Sequence, residues 1–283
     1  MQMIPAKELA TFISSRLESN YDAREAANIS HELLRHFFRL DRLHLSLNEP
    51  VPFPSGQEEK LLTVIQRLLN QEPLQHITGS VEFYGLEFKS DARALIPRPE
   101  TEELVHWIIE DHKVPDLTVL DIGTGTGCIP IVLAKNLKAA TVSAIDVSEE
   151  SLTLARENAI LNEVSIDLQQ LNILEEELNG RYDVMVSNPP YIPEADKTQM
   201  SANVLDFEPG LALFVPDSNP LLFYDRIASL AMKSLQPGGT LYFEIHEGYG
   251  KNVVELLQNK GFTGVTLKKD LQGKDRMTKA TKA

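Results

Sequence analysis

The stretch Val119-Leu120-Asp121-Ile122-Gly123-Thr124-Gly125-Thr126-Gly127 runs from branched apolar residues into three closely spaced glycines. Residues 127–137 then repeat apolar side chains at helical spacing. An apolar run, a glycine turn and a helix make the first half of a strand–helix–strand unit. The rhythm recurs downstream. Apolar runs at 141–145, 166–171, 184–186 and 240–245 alternate with helical patterns around 149–162, 219–235 and 249–260. Short runs without polar alternation, separated by helices, predict an α/β fold: a mostly parallel sheet with helices on both faces. Residues 264–268 and 277–279 read as an antiparallel edge to it.

Upstream the pattern differs. Leu9, Phe12, Ile13 and Leu17 follow a helical period, as do Ala26, Ile29, Leu33, Leu34 and Phe37. Leu61, Leu62, Ile65, Leu68 and Leu69 do so after the breaker-rich stretch 50–56. Residues 5–71 therefore predict a small helical domain without strands. Arg35, Arg39 and Arg42 fall at spacings of four and three, so one face of the second helix should carry them, as a solvated face or a docking surface. Residues 81–88 alternate around a glycine and predict a β-hairpin linking the two regions.

Composition removes several classes of function. A net charge of -14 argues against general affinity for nucleic acid, which needs clustered Lys and Arg. The single cysteine, Cys128, excludes an intrachain disulfide and a thiolate zinc cage, and it sits in an apolar run as a small core residue. The seven His residues show no metal-ligand spacing, and His31 and His36 read as surface groups. No run approaches the ~20 apolar residues of a membrane span, and no signal-peptide core is evident, so the expectation is a soluble, cytoplasmic protein.

The glycine loop is the first candidate site. Its glycines allow a sharp turn and close approach to a ligand, and the helix that follows offers free N–H groups suited to a carboxylate or phosphate. Asp146 ends the second strand, where an acidic residue accepts the hydroxyls of a ribose. A dinucleotide fingerprint would space its glycines Gly-x-Gly-x-x-Gly. Here the spacing is Gly-x-Gly-x-Gly, with Cys128 where the fingerprint wants Gly or Ala. Asp121 would repel a pyrophosphate and attract a cationic amino group. A ligand with a ribose, an amino group and a carboxylate fits better than NAD, and S-adenosylmethionine is such a ligand.

The second site is Asn188-Pro189-Pro190-Tyr191, which ends the fourth apolar run. Two prolines cannot join a ladder, so the chain leaves the sheet as a stiff loop at a strand's C-terminal end. The Asn188 side-chain oxygen and the Pro189 carbonyl can accept the two N–H bonds of a planar nitrogen. The Tyr191 ring can pack on that planar group. Arg98, extended between Pro97 and Pro99, is either a pocket group or a rigid linker residue.

This constellation resembles the class I S-adenosylmethionine-dependent methyltransferases that carry an Asn-Pro-Pro-Tyr motif and act on planar nitrogens. Residues 72–79 (Glu-Pro-Leu-Gln-His-Ile-Thr-Gly), Phe83-Tyr84-Gly85 and residues 95–101 are similar to those of HemK/PrmC-type release factor glutamine methyltransferases, over nearly the whole chain. The resemblance implies a Rossmann-like class I methyltransferase domain over 99–283, a substrate-docking helical domain over 1–75, and a hairpin and linker over 76–98. It implies methyl transfer to the glutamine of the Gly-Gly-Gln motif in class 1 peptide-chain release factors, with no direct nucleic-acid binding and no metal. Asp121, Gly123, Thr124, Gly125, Thr126, Gly127, Asp146 and Asn188 would hold the cofactor. Asn172 and Ile173 stand where the family commonly has an acidic residue and an aromatic at the adenine. Asn188, Pro189, Pro190 and Tyr191 would hold the glutamine, with Asn188, Pro189 and Tyr191 serving catalysis. The similar enzymes keep Arg98 near the active site, and residues 207–209 shape the glutamine's way in. An adenine or guanine N-methyltransferase, a catalytically silent cofactor-binding protein and a dinucleotide oxidoreductase are the competing readings.

Overall fold

The computed structural model describes residues 2–283, and the chain divides into two compact units. The first unit comprises the chain up to Gly79 together with residues 202–207. Its elements are β1 (Gln2–Pro5), α1 (Ala6–Leu17), α2 (Ala23–Phe38), α3 (Arg42–Leu47), β2 (Pro50–Phe53), α4 (Gln57–Leu69) and α5 (Leu74–Thr78). The returning segment carries α9 (Ala202–Leu205). The predicted apolar stripes supply most of its core: Leu9, Ile13, Leu17, Leu33, Leu34, Leu61, Ile65 and Leu68 are all buried. Phe37 and Leu62 are the exceptions and face solvent.

Two expectations for this unit need correction. It does contain a sheet, because β1 and β2 pair antiparallel through the breaker-rich stretch. Prolines are tolerated there because a two-stranded ladder leaves an open edge for residues without an N–H. The three arginines also do not share one helix face. Arg39 caps α2 in the left-handed region (φ 57°), and Arg42 begins α3 after the Asp41 N-cap. Asp41 accepts from the Leu43 and His44 amides, which starts a new helix where the periodicity suggested continuation.

The second unit holds the remaining elements: β3 (Ser80–Phe83), β4 (Leu86–Lys89), α6 (Pro99–Asp111), β5 (Thr118–Ile122), α7 (Cys128–Asn136), β6 (Thr141–Asp146), α8 (Glu149–Leu161) and β7 (Asp167–Gln170). β8 (Tyr182–Ser187), β9 (Ile192–Pro193), β10 (Phe214–Val215), α10 (Leu222–Ser234), β11 (Leu235–Glu244), α11 (Gly250–Asn259), β12 (Thr263–Lys269) and β13 (Asp275–Thr281) complete it. The main sheet has seven strands in the order β12-β13-β11-β8-β5-β6-β7. The five strands from β11 to β7 are parallel, and β13 and β12 add the predicted antiparallel pair. β13 is longer than the sequence suggested and lies inside the sheet, so β12 alone forms the edge on that side, with β7 at the other. Adjacent residues of β5 point into different cores. Val119 packs with α6 and α7, and Leu120 packs with α10, so helices cover both faces as expected.

The β3–β4 hairpin turns at Tyr84 and Gly85, both at positive φ (51° and 72°), the requirement of a two-residue type I′ turn. It belongs to the second unit. Phe83 and Phe88 join its core, and Asn158 of α8 both accepts from the Lys89 amide and donates to the Lys89 carbonyl.

β5, β6 and β7 extend the sheet to one side, and the chain then returns with β8 on the other side of β5. The sheet order therefore reverses beside β5, and in open parallel sheets ligands bind at the strand ends of such a switch point. Among the described residues no helix is long and apolar enough to cross a membrane.

Candidate active site

Three strand ends meet at the switch point. β5 delivers the glycine loop, β6 ends on Asp146, and β8 ends on Ser187 immediately before Asn188. The Ser187 hydroxyl donates to the Ile122 carbonyl at 2.7 Å and ties the ends of β8 and β5 together.

The glycine loop is held from below and needs its glycines. Gly123 and Thr124 donate their amides to the Ile145 carbonyl, at 2.9 and 3.1 Å. Gly123, Gly125 and Gly127 all have positive φ (75°, 55° and 80°), where a side chain is strained. At Gly127 space is lacking as well, since a Cβ would lie 3.0 Å from the Ala155 Cβ. Asp146 grips the loop by accepting from the Gly125 amide at 2.9 Å and the Ser148 amide at 3.0 Å. Burial raises its carboxyl above the ordinary range even so.

A cavity of about 280 Å³ opens between these ends. Gly123, Thr124, Gly125, Thr126 and Asp146 line one part of it, with Asn172 and Ile173, and Asn188, Pro189, Pro190 and Arg98 line another. Of the anticipated site residues, three lie outside this lining: Asp121, Gly127 and Tyr191. Gly127 caps α7 behind the loop. Asp121 is fully buried, and neither carboxylate oxygen has a hydrogen-bond partner. Burial, reinforced by the charge of Asp146, pushes its carboxyl up to about 7. Asn172 spends its side-chain oxygen locally, accepting from the Leu174 amide at 3.1 Å.

The Tyr191 ring lies outside the lining of the cavity, and its hydroxyl is engaged elsewhere. The Tyr191 hydroxyl donates to Glu244 Oε1 at 3.2 Å, and burial beside that carboxylate raises the phenol well above its ordinary range. Glu244 is itself buried at the end of β11, and Thr101 donates to its other oxygen at 2.7 Å. Asn188 Nδ2 donates in turn to the Thr101 hydroxyl, at 3.4 Å.

Arg98 is a pocket group. It has extended backbone (φ -108°, ψ 148°) as the N-cap of α6 and pairs with Glu208 at 2.5 Å. Glu208 is almost fully buried, and its second oxygen accepts from the Ile96 amide at 3.0 Å. The segment after the Asn-Pro-Pro-Tyr loop is thereby latched to the segment before α6.

Glu244 is the site residue that motif reasoning did not single out; Thr101 and Glu208 lay within the stretches 95–101 and 207–209 without individual roles. The available signal for Glu244 was an acid inside an otherwise apolar strand run, and for Glu208 its place between Phe207 and Pro209. Thr101 carried no signal beyond its position in the first turn of a helix. Among the described residues no group of His, Cys, Asp or Glu is placed to hold a metal ion.

Comparison with known proteins bears on both units. Residues 8–79 match the PrmC N-terminal domain, and residues 101–206 match the methyltransferase small domain. The chain is 46% identical over 278 residues to a release factor glutamine methyltransferase of Flavobacterium psychrophilum, covering 96% of this chain and 98% of that one. It is 40% identical over 277 residues to its counterpart in Bacteroides thetaiotaomicron, covering 97% and 99%. A crystal structure of a methyltransferase from Pyrococcus furiosus shares the fold, with a TM-score of 0.54 at 19% identity over 81% of this chain and all of that one.

Proposed function

The chain belongs to the family of release factor glutamine methyltransferases and uses S-adenosylmethionine, and from that premise we propose how its own residues perform the transfer. The substrate is the side-chain amide of the glutamine in the Gly-Gly-Gln motif of a class 1 peptide-chain release factor. One observation carries the reading: a single cavity joins the glycine loop and Asp146 to Asn188, Pro189 and Pro190.

The residues fit the donor. An orphaned carboxylate at Asp121 suits a nearby ammonium group, and the glycine loop leaves room for a ligand where side chains would intrude. Asp146 would take the ribose hydroxyls, Ile173 and Asn172 the adenine, and the N-terminus of α7 the carboxylate. When bound, S-adenosylmethionine supplies a methyl group on a sulfonium, a good electrophile that needs no metal.

The nucleophile is the difficult partner, because the lone pair of an amide nitrogen is delocalised. Asn188 Oδ1 and the Pro189 carbonyl, which lies beyond the last ladder position of β8, accept its two N–H bonds. That fixes the nitrogen in line with the methyl and stabilises the positive charge that develops on it. Hydrogen bonds involving a charged partner are worth ~1.5–3 kcal/mol each, so two can lower the barrier substantially. The methylated amide is strongly acidic and releases its proton to water, so no general base is assigned. The latch between Arg98 and Glu208 holds the wall of the acceptor pocket. The reading places the protein in the cytoplasm, where release factors act.

The test is transfer of label from S-adenosylmethionine to a purified release factor. Label is expected in the factor and absent when its Gly-Gly-Gln glutamine is replaced. Label in DNA or ribosomal RNA but not in the factor refutes the proposal.

A further inference from the structure

An asparagine side chain has an accepting end and a donating end, and which of them faces a ligand decides what the site selects. The surroundings of Asn188 answer this. Glu244, when ionised, can only accept hydrogen bonds. Thr101 has one hydroxyl proton and gives it to Glu244 Oε2 at 2.7 Å, so towards Asn188 it can offer only a lone pair. The amide must therefore turn Nδ2 to Thr101, the 3.4 Å contact, leaving Oδ1 for the cavity that Asn188 lines. The direction of each donor is set by the carboxylate at the far end of the chain. The same carboxylate accepts the Tyr191 hydroxyl on Oε1, so it holds both ends of the Asn188–Tyr191 loop. Strand register supports the arrangement, since Phe243, next to Glu244, pairs with Ser187, next to Asn188.

We infer that Glu244, acting through Thr101, is a positioning residue that turns the accepting end of Asn188 into the cavity, so that the site selects a carboxamide over a carboxylate. The inference rests on the proposed glutamine acceptor and adds what makes the acceptor site discriminate. A glutamine presents N–H bonds to Oδ1. A glutamate presents only oxygens, which face an accepting oxygen and an accepting carbonyl without a proton between them. With the amide free to reverse, Nδ2 could instead donate to a carboxylate, and the discrimination would fall.

The experiment compares full-length wild type with Thr101→Val, Thr101→Ser, Glu244→Met and the double variant Thr101→Val with Glu244→Met. It measures binding of two short peptides, one ending its motif in Gly-Gly-Gln and the other in Gly-Gly-Glu, in the presence of S-adenosylhomocysteine, together with turnover of the first. Valine keeps the shape of threonine and loses the hydroxyl, whereas serine keeps the hydroxyl and loses the methyl. Wild type should favour the glutamine peptide by about 10-fold or more, the scale of one hydrogen bond to a developing or full charge. Thr101→Ser should retain that preference to within about threefold. Thr101→Val should reduce it about 10-fold, with S-adenosylhomocysteine binding unchanged, and Glu244→Met should reproduce the loss without adding to it in the double variant. A packing role predicts the reverse order, with serine the worse substitution. A preference that survives in Thr101→Val, or equal losses for the two peptides, overturns the inference and leaves the proposed function standing. A wild type that favours neither peptide and methylates no release factor overturns the proposed function as well.

Discussion

Replacing Asp121 with asparagine should make the ligand-free protein more stable and bind its cofactor less well. The carboxylate is fully buried, neither oxygen has a hydrogen-bond partner, and its carboxyl is pushed from the ordinary 3.8 to about 7. Burial is the main cause; the nearby Thr124 side chain works against it, and the charge of Asp146 reinforces it. Between those two values the folded state binds the proton and the unfolded state releases it, so stability falls as pH rises through that window. At 1.36 kcal/mol for each tenfold change in proton affinity, the penalty reaches ~3 kcal/mol at pH 6 and ~4 kcal/mol at pH 8. An asparagine resembles the protonated acid and avoids it. Relaxation around the charge brings these figures down.

The assay is denaturant unfolding of both proteins from pH 6 to pH 8, above the isoelectric point near 5.0. The asparagine variant should be the more stable throughout, by a margin that widens by ~1.4 kcal/mol across the range. Cofactor binding should move the other way, because only the ionised carboxylate attracts an ammonium group. Wild-type affinity should rise with pH up to about 7 and then level off, while the variant binds more weakly and loses that rise. A stability difference that does not change with pH, or an asparagine variant less stable at pH 8, would refute the assignment of a strained, unpartnered carboxylate.

Asn188→Ala removes an acceptor from the planar nitrogen while sparing the glycine loop. Turnover should fall at least tenfold with cofactor affinity within about twofold of wild type, and a collapse of cofactor binding would make Asn188 mainly a cofactor ligand. On the helical unit, Leu43 and Leu47 lie one turn apart on α3, and both are well exposed. If this unit docks the protein substrate, Leu43→Ser with Leu47→Ser should raise the KM for the whole release factor severalfold and leave a short glutamine peptide unaffected. Equal effects on both substrates would count against docking by this face.

Much of the second unit was legible because its central strands are buried on both sides. β5, β6 and β8 then appear as short, mostly apolar runs without polar alternation, and helices of ordinary length separate them. The first unit was harder for local reasons. Arg39 and Asn48 adopt the left-handed conformation at helix C-caps where a glycine would have announced the end, so α2 and α3 merged in the periodicity. In β2, Pro50 and Pro52 face solvent while Val51 and Phe53 are buried, an alternation that the two prolines concealed. At the site, the loops that touch a ligand were visible as motifs. The contacts by which side chains hold those loops were not, because Thr101, Glu208 and Glu244 come from a helix, an irregular segment and a strand that only the fold brings near them.

Those hidden partners also explain how an acidic site can remain selective for a cationic cofactor. Four carboxylates stand at or behind the cavity, and their surroundings separate their roles. Glu208 is neutralised by Arg98, and Asp146 is engaged by two backbone amides. Glu244 accepts from two neutral hydroxyls, which spends its oxygens on orientation, and burial raises its carboxyl above the ordinary range. Only Asp121 keeps both oxygens unpartnered. A buried carboxylate without a partner costs stability in the free protein, and a bound ammonium group offsets that cost. The attraction for the cation is therefore concentrated behind the glycine loop. At Asn188 the accepting oxygens of Glu244 instead set the direction of hydrogen bonds through Thr101, so donor and acceptor can share one cavity with separate means of recognition.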